Sequence, residues 1–191
     1  VRMLEPPTGT REAMKGRILW IPRMHPVASR LIAAVFRGHG FESQSVPESD
    51  EEAHSLGKNA CRGSECTPMA LTLGTFLKTV RDSGLPSSRH AFFMPTATGP
   101  CRFGCYALSQ HMAMQRIGMG DVPILSPTSE NSYLGLPVAA RKAVWETMLC
   151  GDYITKLAQK TRPYELEPGE TNRMIEAWVV RLEQDFEARR D

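Results

Sequence analysis

Ala91-Phe-Phe-Met-Pro-Thr-Ala-Thr-Gly-Pro-Cys-Arg-Phe-Gly-Cys-Tyr106 is the stretch that decides the fold. Its first four residues form a short apolar run that stops at Pro95, which is typical of a buried strand. From Arg102 to Ile117 apolar residues recur at helical intervals. The stretch therefore predicts a strand, a loop and a helix, with Cys101 and Cys105 at the beginning of the helix.

The position of Cys101 gives its thiol a possible chemical role. A helix N-terminus carries unpaired N–H groups and a partial positive charge, so a thiol there ionises more readily. The thiolate can then bind a metal or attack an electrophile. The alternative is structural, because free cysteine is among the most buried residue types and Cys105 lies one helical turn further on. The residues alone leave both interpretations open.

The rest of the chain repeats this alternation of strands and helices. The predicted strands are Arg17–Pro22, Phe41–Val46, Ala91–Met94 and Val122–Leu125. The predicted helices are His25–Gly38, Asp50–Lys58, Pro68–Gly84, Arg102–Ile117, Pro137–Gln159 and Glu170–Ala188. A β-α-β beginning favours a parallel sheet with right-handed crossovers. We expect an α/β fold with a mostly parallel, Rossmann- or flavodoxin-like sheet that is flanked by helices, and with a C-terminal helical extension.

The pattern also predicts how the chain is divided. Residues 1–15 contain two prolines and mixed charges without periodicity, and we interpret them as a linker from a longer polypeptide. Residues 16–136 form the predicted α/β domain, which holds four of the five cysteines. Residues 137–191 form helices that pack on this domain or on a neighbouring subdomain, and we expect them to leave an apolar strip exposed.

Composition and charge exclude several classes of protein. The formal net charge of +2 over 191 residues gives no electrostatic reason to expect binding to nucleic acid or to a membrane surface. No apolar run is long enough to span a membrane, and the first residues have no apolar signal-peptide core. Five cysteines, an odd number, do not make a secreted disulfide framework. We therefore expect a cytoplasmic protein.

Three polar loops are predicted to meet at the carboxyl edge of the sheet. One contains Cys61 and Cys66, the second contains Cys101 and Cys105, and the third is the hydroxyl- and amide-rich segment from Ser126 to Tyr133. Ligands of open α/β sheets usually bind at this edge. His25, in the first strand–helix loop, could line the same edge, although a single loop histidine is more often a surface residue.

The spacing of the cysteines does not define one kind of site. Cys61-x4-Cys66 and Cys101-x3-Cys105 differ from the paired C-x2-C pattern of zinc ribbons. Iron–sulfur clusters accept thiolates from separate loops, and structural cysteines remain an alternative. Cys150, inside a predicted helix, is expected to be an inert buried thiol. The chain has no Ser-His-Asp order, phosphate-binding glycine loop or HExxH motif, which argues against a hydrolase, an ATPase and a zincin.

Four motifs resemble the 2-hydroxyacyl-CoA dehydratase family. They are Gly63-Ser-Glu-Cys-Thr-Pro68 with Leu71-Thr-Leu-Gly74, Phe93-Met-Pro-Thr-Ala-Thr-Gly-Pro-Cys-Arg-Phe-Gly104 with Tyr106, Val122-Pro-Ile-Leu-Ser-Pro127 with Ser129-Glu-Asn-Ser-Tyr133, and Arg162-Pro-Tyr-Glu165 with Pro168-Gly-Glu-Thr171. The resemblance covers about residues 16 to 188. It is strongest to the dehydratase-like region of long CoA-substrate-specific enzyme activase proteins, where this region follows an ATPase activator module.

The resemblance implies a fold and a cofactor. In that family, flavodoxin-like α/β subdomains hold an iron–sulfur cluster, of the 4Fe-4S or double-cubane type, through cysteines between them. Cys66 and Cys101 match the motif cysteines and are the implied ligands. Cys105 occupies a position where relatives usually carry another residue, often glutamine. The implied lining of the cluster or substrate site comes from the third loop, namely Ser126, Ser129, Glu130, Asn131 and Tyr133.

The resemblance also implies an activity and partners. In the resembling enzymes the cluster passes one low-potential electron to an acyl-CoA thioester, which permits removal of an unactivated hydroxyl. The implied partners are the ATPase activator module and a second α/β subdomain, in the same or a partner chain, with acyl-CoA as substrate and a homo-oligomer as a further option. A different hypothesis is a non-catalytic electron-transfer or assembly domain that has no acyl-CoA activity of its own. Whether this chain is itself an enzyme is left open.

Overall fold

A four-stranded parallel sheet forms the centre of the fold, and the α/β class predicted from the sequence is confirmed. The structure is a computed structural model, and it describes residues 12–129 and 131–189. The strands are β1 (Ile18–Ile21), β2 (Glu42–Ser45), β3 (His90–Phe93) and β4 (Ile124–Leu125), in the order β2-β1-β3-β4. Ile18 pairs with His90 across β1 and β3, and Phe92 pairs with Ile124 across β3 and β4. The carboxyl ends of these three strands therefore share one edge.

Within the described residues, six α-helices account for most of the chain outside the sheet. They are α1 (Ala28–Gly38), α2 (Glu51–Ala60), α3 (Thr67–Ser83), α4 (Tyr106–Arg116), α5 (Val138–Thr161) and α6 (Glu170–Ala188). Most ends agree with the sequence pattern within three residues. At the beginning of α2, Asp50 is the N-cap residue, and its side chain accepts a hydrogen bond from the Ala53 N–H at 2.8 Å.

The apolar runs that predicted β1 and β3 are fully buried, as expected for strands of a parallel sheet. Phe92 of β3 stacks on Phe76 of α3 with ring centroids 4.0 Å apart. Trp20 and Met114 belong to the same core. This core fixes α3 and α4 against the strands, and both helices begin next to cysteine-bearing turns.

One polar side chain lies inside this core. His90 is fully buried, its Nδ1 accepts a hydrogen bond from the Trp20 indole at 2.9 Å, and its Nε2 lies 3.2 Å from the Ser83 hydroxyl. Because Nδ1 is an acceptor, the ring is in its neutral form with the proton on Nε2. Burial lowers the pKa of His90. The sequence offered no partner for this histidine, and the structure assigns it a structural role.

The chain divides into two compact units. Among the described residues, the first unit contains 12–23 and 44–136, and the second contains 24–43 and 137–189. The core of the second unit is formed by α1, α5 and α6, with Leu31, Val179 and Phe186 among its buried residues. Arg30 ties α1 to α6 by ion pairs of 2.7 Å with both Glu176 and Glu183.

The predicted linker falls partly inside the described chain. Residues 1–11 of it lie outside the described residues, whereas Glu12–Met14 form a short 3-10 helix whose Met14 is buried. The end of the predicted linker is therefore ordered, because the Met14 side chain packs in the interior. No helix in the described ranges is long and apolar enough to cross a membrane.

Candidate functional site

Two cysteine-bearing turns meet where α3 and α4 begin. The Cys66 sulfur lies 2.7 Å from the Tyr106 hydroxyl oxygen, and the Arg102 guanidinium donates to the carbonyl of Ser64 at 2.8 Å. These two contacts join the turn before α3 to the turn before α4, although the turns are about 40 residues apart in the chain. The prediction that these two loops meet is confirmed by these contacts.

The helix pair α2–α3 positions Cys66. Gly57 of α2 and Gly74 of α3 let the two backbones touch: a Cβ atom at Gly57 would lie 1.8 Å from the Ala70 carbonyl oxygen, and one at Gly74 would lie 1.7 Å from that of Ala53. Only glycine permits such a close backbone contact, because it has no Cβ atom. This close contact between the two helices fixes the segment that connects α2 to α3, and this segment contains Cys66.

Cys66 is the N-cap residue of α3. Its extended backbone lets its carbonyl accept from the Met69 N–H at 3.0 Å, and Pro68 follows in the first turn. Thr67, which the sequence suggested as the N-cap, is instead the first helical residue. The thiol therefore lies at the positive end of a 17-residue helix.

Cys101 is also close to Tyr106, but its helix differs from the predicted one. Cys101 is exposed and precedes a short 3-10 helix, Arg102–Cys105, whereas α4 begins only at Tyr106. The prediction of an α-helix from Arg102 is therefore wrong by four residues. The cause is Gly104, whose carbonyl accepts a hydrogen bond from the Thr96 hydroxyl at 2.8 Å. The Cα atom of Gly104 also packs against Ala97, and a Cβ atom at this position would lie 2.4 Å from the Ala97 carbonyl oxygen.

This change makes Cys105 the N-cap residue of α4. Cys105 is exposed, as is Cys101. The 3-10 helix is too short to give Cys101 the dipole of a long helix. In the structure, Cys101 is thus distinguished by its proximity to Tyr106. It does not lie at the helix N-terminus that the sequence suggested.

The electrostatics favour a thiolate at Cys66. The hydrogen bond with Tyr106 lowers the pKa of Cys66, and the charge of Arg102 acts in the same direction. Burial raises the pKa of Tyr106 to about 12, and contact with Cys66 and the nearby Cys101 add to this rise. Tyr106 therefore stays protonated and can donate its hydroxyl proton to a Cys66 thiolate. The Cys66 thiol contacts the Tyr106 hydroxyl directly, whereas Cys101 acts on this phenol only through its charge.

Cys61 has the opposite environment. Burial and the charge of Glu65 raise the pKa of Cys61. Its thiol donates to the Met69 sulfur at 3.6 Å. Glu65 itself accepts from the Arg62 N–H through both carboxylate oxygens, at 3.1 and 3.0 Å, and so closes the turn. Cys61 therefore stays a neutral thiol at pH values where Cys66 ionises.

The third loop is held together by Asn131. The Asn131 side chain accepts from the Thr128 N–H at 2.8 Å and donates to the Ser126 carbonyl at 2.9 Å. Ser126 is buried, so its side chain cannot reach solvent. Ser132, Tyr133 and Leu134 follow with φ angles of 52°, 53° and 55°, which are unusual for residues other than glycine.

Of the five loop residues that the resemblance implies for a binding site, Ser129 and Tyr133 are exposed. Ser126 and Asn131 have structural positions in the loop. Glu130 lies outside the described residues. Of these five residues, the described ones that reach solvent are therefore Ser129, with a hydroxyl, and Tyr133, with a phenol.

Two further residues proposed from the sequence have structural roles in the second unit. The His25 ring nitrogen Nδ1 accepts from the N–H groups of Val27 and Ala28, at 3.2 and 3.1 Å, and so supports the beginning of α1. This explains why α1 begins three residues after the predicted start. Cys150 is partly buried and packs against the α1–α5–α6 core.

The described residues do not bring a complete set of metal ligands together. In residues 12–129 and 131–189, no three side chains of His, Cys, Asp or Glu gather as a group that could hold a metal ion. Cys66 and Cys101 nevertheless suit an iron–sulfur cluster chemically, because such clusters are held by thiolates that can come from separate loops. Two thiolates are half of the four that a cluster usually has. Comparisons with protein-family models, with curated proteins and with solved structures give no match.

Proposed function

We propose that this chain is the cysteine-bearing part of an iron–sulfur redox protein of the 2-hydroxyacyl-CoA dehydratase type. The observation that carries the proposal is the contact between the two cysteine-bearing turns, made by the Cys66 sulfur with the Tyr106 hydroxyl and by Arg102 with the carbonyl of Ser64. The motifs that resemble the family contain both cysteines. The proposal therefore depends on two independent features, a sequence resemblance and a local geometry.

In this proposal each residue has a defined role. Cys66 and Cys101 are thiolate ligands, and further thiolates come from another domain or chain. Tyr106 orients the Cys66 sulfur through its hydroxyl, and hydrogen bonds to cluster sulfurs tune reduction potentials. Arg102 holds the two turns together through Ser64. A bound cluster would supply a low-potential electron for an acyl-CoA substrate.

The third loop provides a wall of the proposed site. Ser129 and Tyr133 present a hydroxyl and a phenol at its surface, whereas Asn131 fixes the loop from inside. β4 leads into this loop and is parallel to β3, so the loop follows the same sheet edge as the turn of Cys101. Ligands of parallel sheets bind along this edge.

Anaerobic reconstitution with ferrous iron and sulfide, carried out on the chain together with the domain or chain that supplies the further thiolates, tests the proposal. The wild-type chain should bind iron and acid-labile sulfide in about equal amounts, with the visible absorbance of a cluster. A Cys66→Ser/Cys101→Ser double variant should bind neither, and Cys150→Ser is the matched control that should bind as the wild type does. Wild-type protein that takes up no more iron and sulfide than the double variant would overturn the proposal.

A second candidate is a non-catalytic electron-transfer or assembly domain. The favouring observation is the exposed apolar surface of α5 and α6, with Trp145 61% and Trp178 55% exposed. Large exposed apolar patches mark interaction sites. This candidate would be supported over the dehydratase type by one result. The chain with its cluster bound would exchange electrons, but it would neither bind nor transform an acyl-CoA, even together with its partners.

A further inference from the structure

Gln110 of α4 has a fully buried amide side chain in the first unit. Its Nε2 atom donates a hydrogen bond to the Thr72 hydroxyl of α3 at 2.9 Å. Among the described residues, its Oε1 atom has no hydrogen-bond partner. Gln110 therefore makes one polar link between α3 and α4 and leaves half of its amide unpaired.

Stability alone gives little reason for an amide at this position. A buried polar atom without a partner loses its hydration and gains no hydrogen bond in return. An apolar side chain of similar length, such as methionine, would fill the same space without this loss. Buried polar groups can instead specify one arrangement of the elements that pack around them. The surroundings of Gln110 indicate which arrangement it specifies.

Two side chains of α4 reach α3 from the same face of the helix. Tyr106 and Gln110 are both buried and lie four residues apart, which places them one above the other. Tyr106 contacts the Cys66 sulfur at the beginning of α3, and Gln110 contacts Thr72 further along it. Apolar contacts hold helices together without a preferred direction, whereas a hydrogen bond requires about 3 Å and good alignment. The Gln110 link therefore limits how far α4 can slide or turn along α3.

A series of hydrogen bonds connects this link to the turn of Cys66. The Thr72 hydroxyl donates to carbonyl oxygens one turn earlier in α3, at 2.9 and 3.0 Å. Because the hydroxyl uses its proton there, it accepts from Gln110 with its oxygen. The Met69 N–H in that earlier turn donates to the Cys66 carbonyl at 3.0 Å. Gln110 is thus connected to the cysteine through the first turn of α3.

We propose that Gln110 is a positioning residue of the cysteine site. It sets the register of α4 on α3, and this register keeps the Tyr106 hydroxyl within hydrogen-bond distance of the Cys66 sulfur. A donor to a ligand sulfur stabilises the extra negative charge of a reduced cluster, so Gln110 also raises the reduction potential. The effect on the potential rests on the proposed iron–sulfur function, whereas the effect on the contact between Tyr106 and Cys66 does not.

Nuclear magnetic resonance of the whole chain without iron tests the positioning role, with ¹³C-labelled tyrosine. The Tyr106 Cζ resonance is the one that Tyr106→Phe removes, and Cys66→Ala gives its position without the hydrogen bond. Gln110→Met should move this resonance at least halfway from its wild-type position toward its position in Cys66→Ala. Gln115→Met, at an exposed glutamine of the same helix, should leave it in place.

Thr72 provides a second, independent variant and a conservative rescue. Thr72→Val keeps the shape of the side chain but removes the hydroxyl, and it should move the Tyr106 resonance as Gln110→Met does. Thr72→Ser keeps the hydroxyl and should retain the wild-type resonance. Chemical denaturation followed by circular dichroism should give Gln110→Met and wild type similar midpoints, so that the moved resonance does not report lost stability. If Gln110→Met does not fold, the two Thr72 variants decide.

The reduction potential is the second readout. It is measured in the full-length protein, with the domain or chain that supplies the further thiolates present. Gln110→Met and Tyr106→Phe should each lower the equilibrium constant for reduction by about tenfold, which is about 59 mV for one electron. The double variant should show no further change, because Gln110 acts through Tyr106.

Two results would overturn the positioning role. One is a Tyr106 resonance that stays at its wild-type position in both Gln110→Met and Thr72→Val. The other is a double variant whose potential shifts by the sum of the two single shifts. Wild-type protein that binds no cluster would contradict the iron–sulfur function alone, because the resonance of the iron-free chain would still report on the contact between Tyr106 and Cys66.

Discussion

The hydroxyl oxygen of Tyr106 lies 2.7 Å from the sulfur of Cys66, across 40 residues of sequence. This contact joins two helix-initiating turns and gives the Cys66 thiolate a hydrogen-bond donor. A donor to the charged form lowers the pKa of a thiol. The contact therefore links the fold, which brings α3 and α4 together, to the chemistry proposed for the cysteine.

Removing this hydroxyl should make Cys66 less reactive. In a background where the other four cysteines are serine, Tyr106→Phe should raise the pKa of Cys66 and slow its alkylation by iodoacetamide severalfold at neutral pH, because the thiolate is the nucleophile. The rate at high pH, where the thiol is fully ionised, should change little. Tyr153→Phe, at an exposed tyrosine of the second unit, is the control. Identical rate profiles for Tyr106→Phe and wild type would show that the contact has no effect on ionisation.

The α2–α3 crossing should not tolerate a single added methyl group. Gly57→Ala and Gly74→Ala would each place a Cβ within 2 Å of a backbone carbonyl oxygen, so the helices must separate. We expect each substitution to lower the free energy of unfolding by about 3 kcal/mol, at the upper end of overpacking effects. Ser55→Ala, at an exposed position of α2, should be neutral or slightly stabilising. Chemical denaturation measures all three, and unchanged stability of both glycine variants would contradict the backbone contact.

The buried His90 should make stability depend on pH. The folded protein holds His90 neutral with a lowered pKa, whereas the unfolded chain takes up a proton near pH 6.5. Below this pH the unfolded state binds more protons than the folded state, so the free energy of unfolding falls as pH falls toward the pKa of the folded state. The contribution of one proton is at most about 1.4 kcal/mol per pH unit.

Denaturation between pH 7 and pH 5, followed by circular dichroism, measures this dependence. His90→Gln should remove the part of the slope that His90 causes, and His54→Gln, at a partly exposed histidine of α2, should retain it. The same slope in wild type and in His90→Gln would show that the histidine is not held neutral.

Much of the fold could be predicted because its signals are local. The apolar runs within Arg17–Pro22 and Ala91–Met94 predicted buried strands, which the structure has at Ile18–Ile21 and His90–Phe93. The helical repeat of residues 170–188 is present in the structure as α6. The turn at Arg102–Cys105 could not be predicted in this way. Its conformation depends on the approach of Gly104 to Ala97, which the local periodicity of α4 does not encode.

The site was predictable in part for the same reason. Cys66 and Cys101 were proposed as ligands from motifs and from the order of strands and helices, and the structure shows that their two turns are in contact. Tyr106 was not recognised as a partner of Cys66, because its role depends on the angle at which α3 and α4 meet. The one available signal was its place at the end of the motif that contains Cys101. His90 was missed likewise, since Trp20 and Ser83 reach it only after the strands pair.

The most direct test of the central claim is the iron content of single cysteine variants after anaerobic reconstitution in the full-length protein, with the domain or chain that supplies the further thiolates present, together with their EPR spectra. Cys66→Ser and Cys101→Ser should each lose most of the bound iron, because removal of one thiolate leaves an incomplete ligand set. Cys150→Ser should retain the iron of the wild type. If both Cys66→Ser and Cys101→Ser kept full iron with an unchanged spectrum while a Cys61→Ser/Cys105→Ser double variant lost it, the assignment of the ligands would be contradicted.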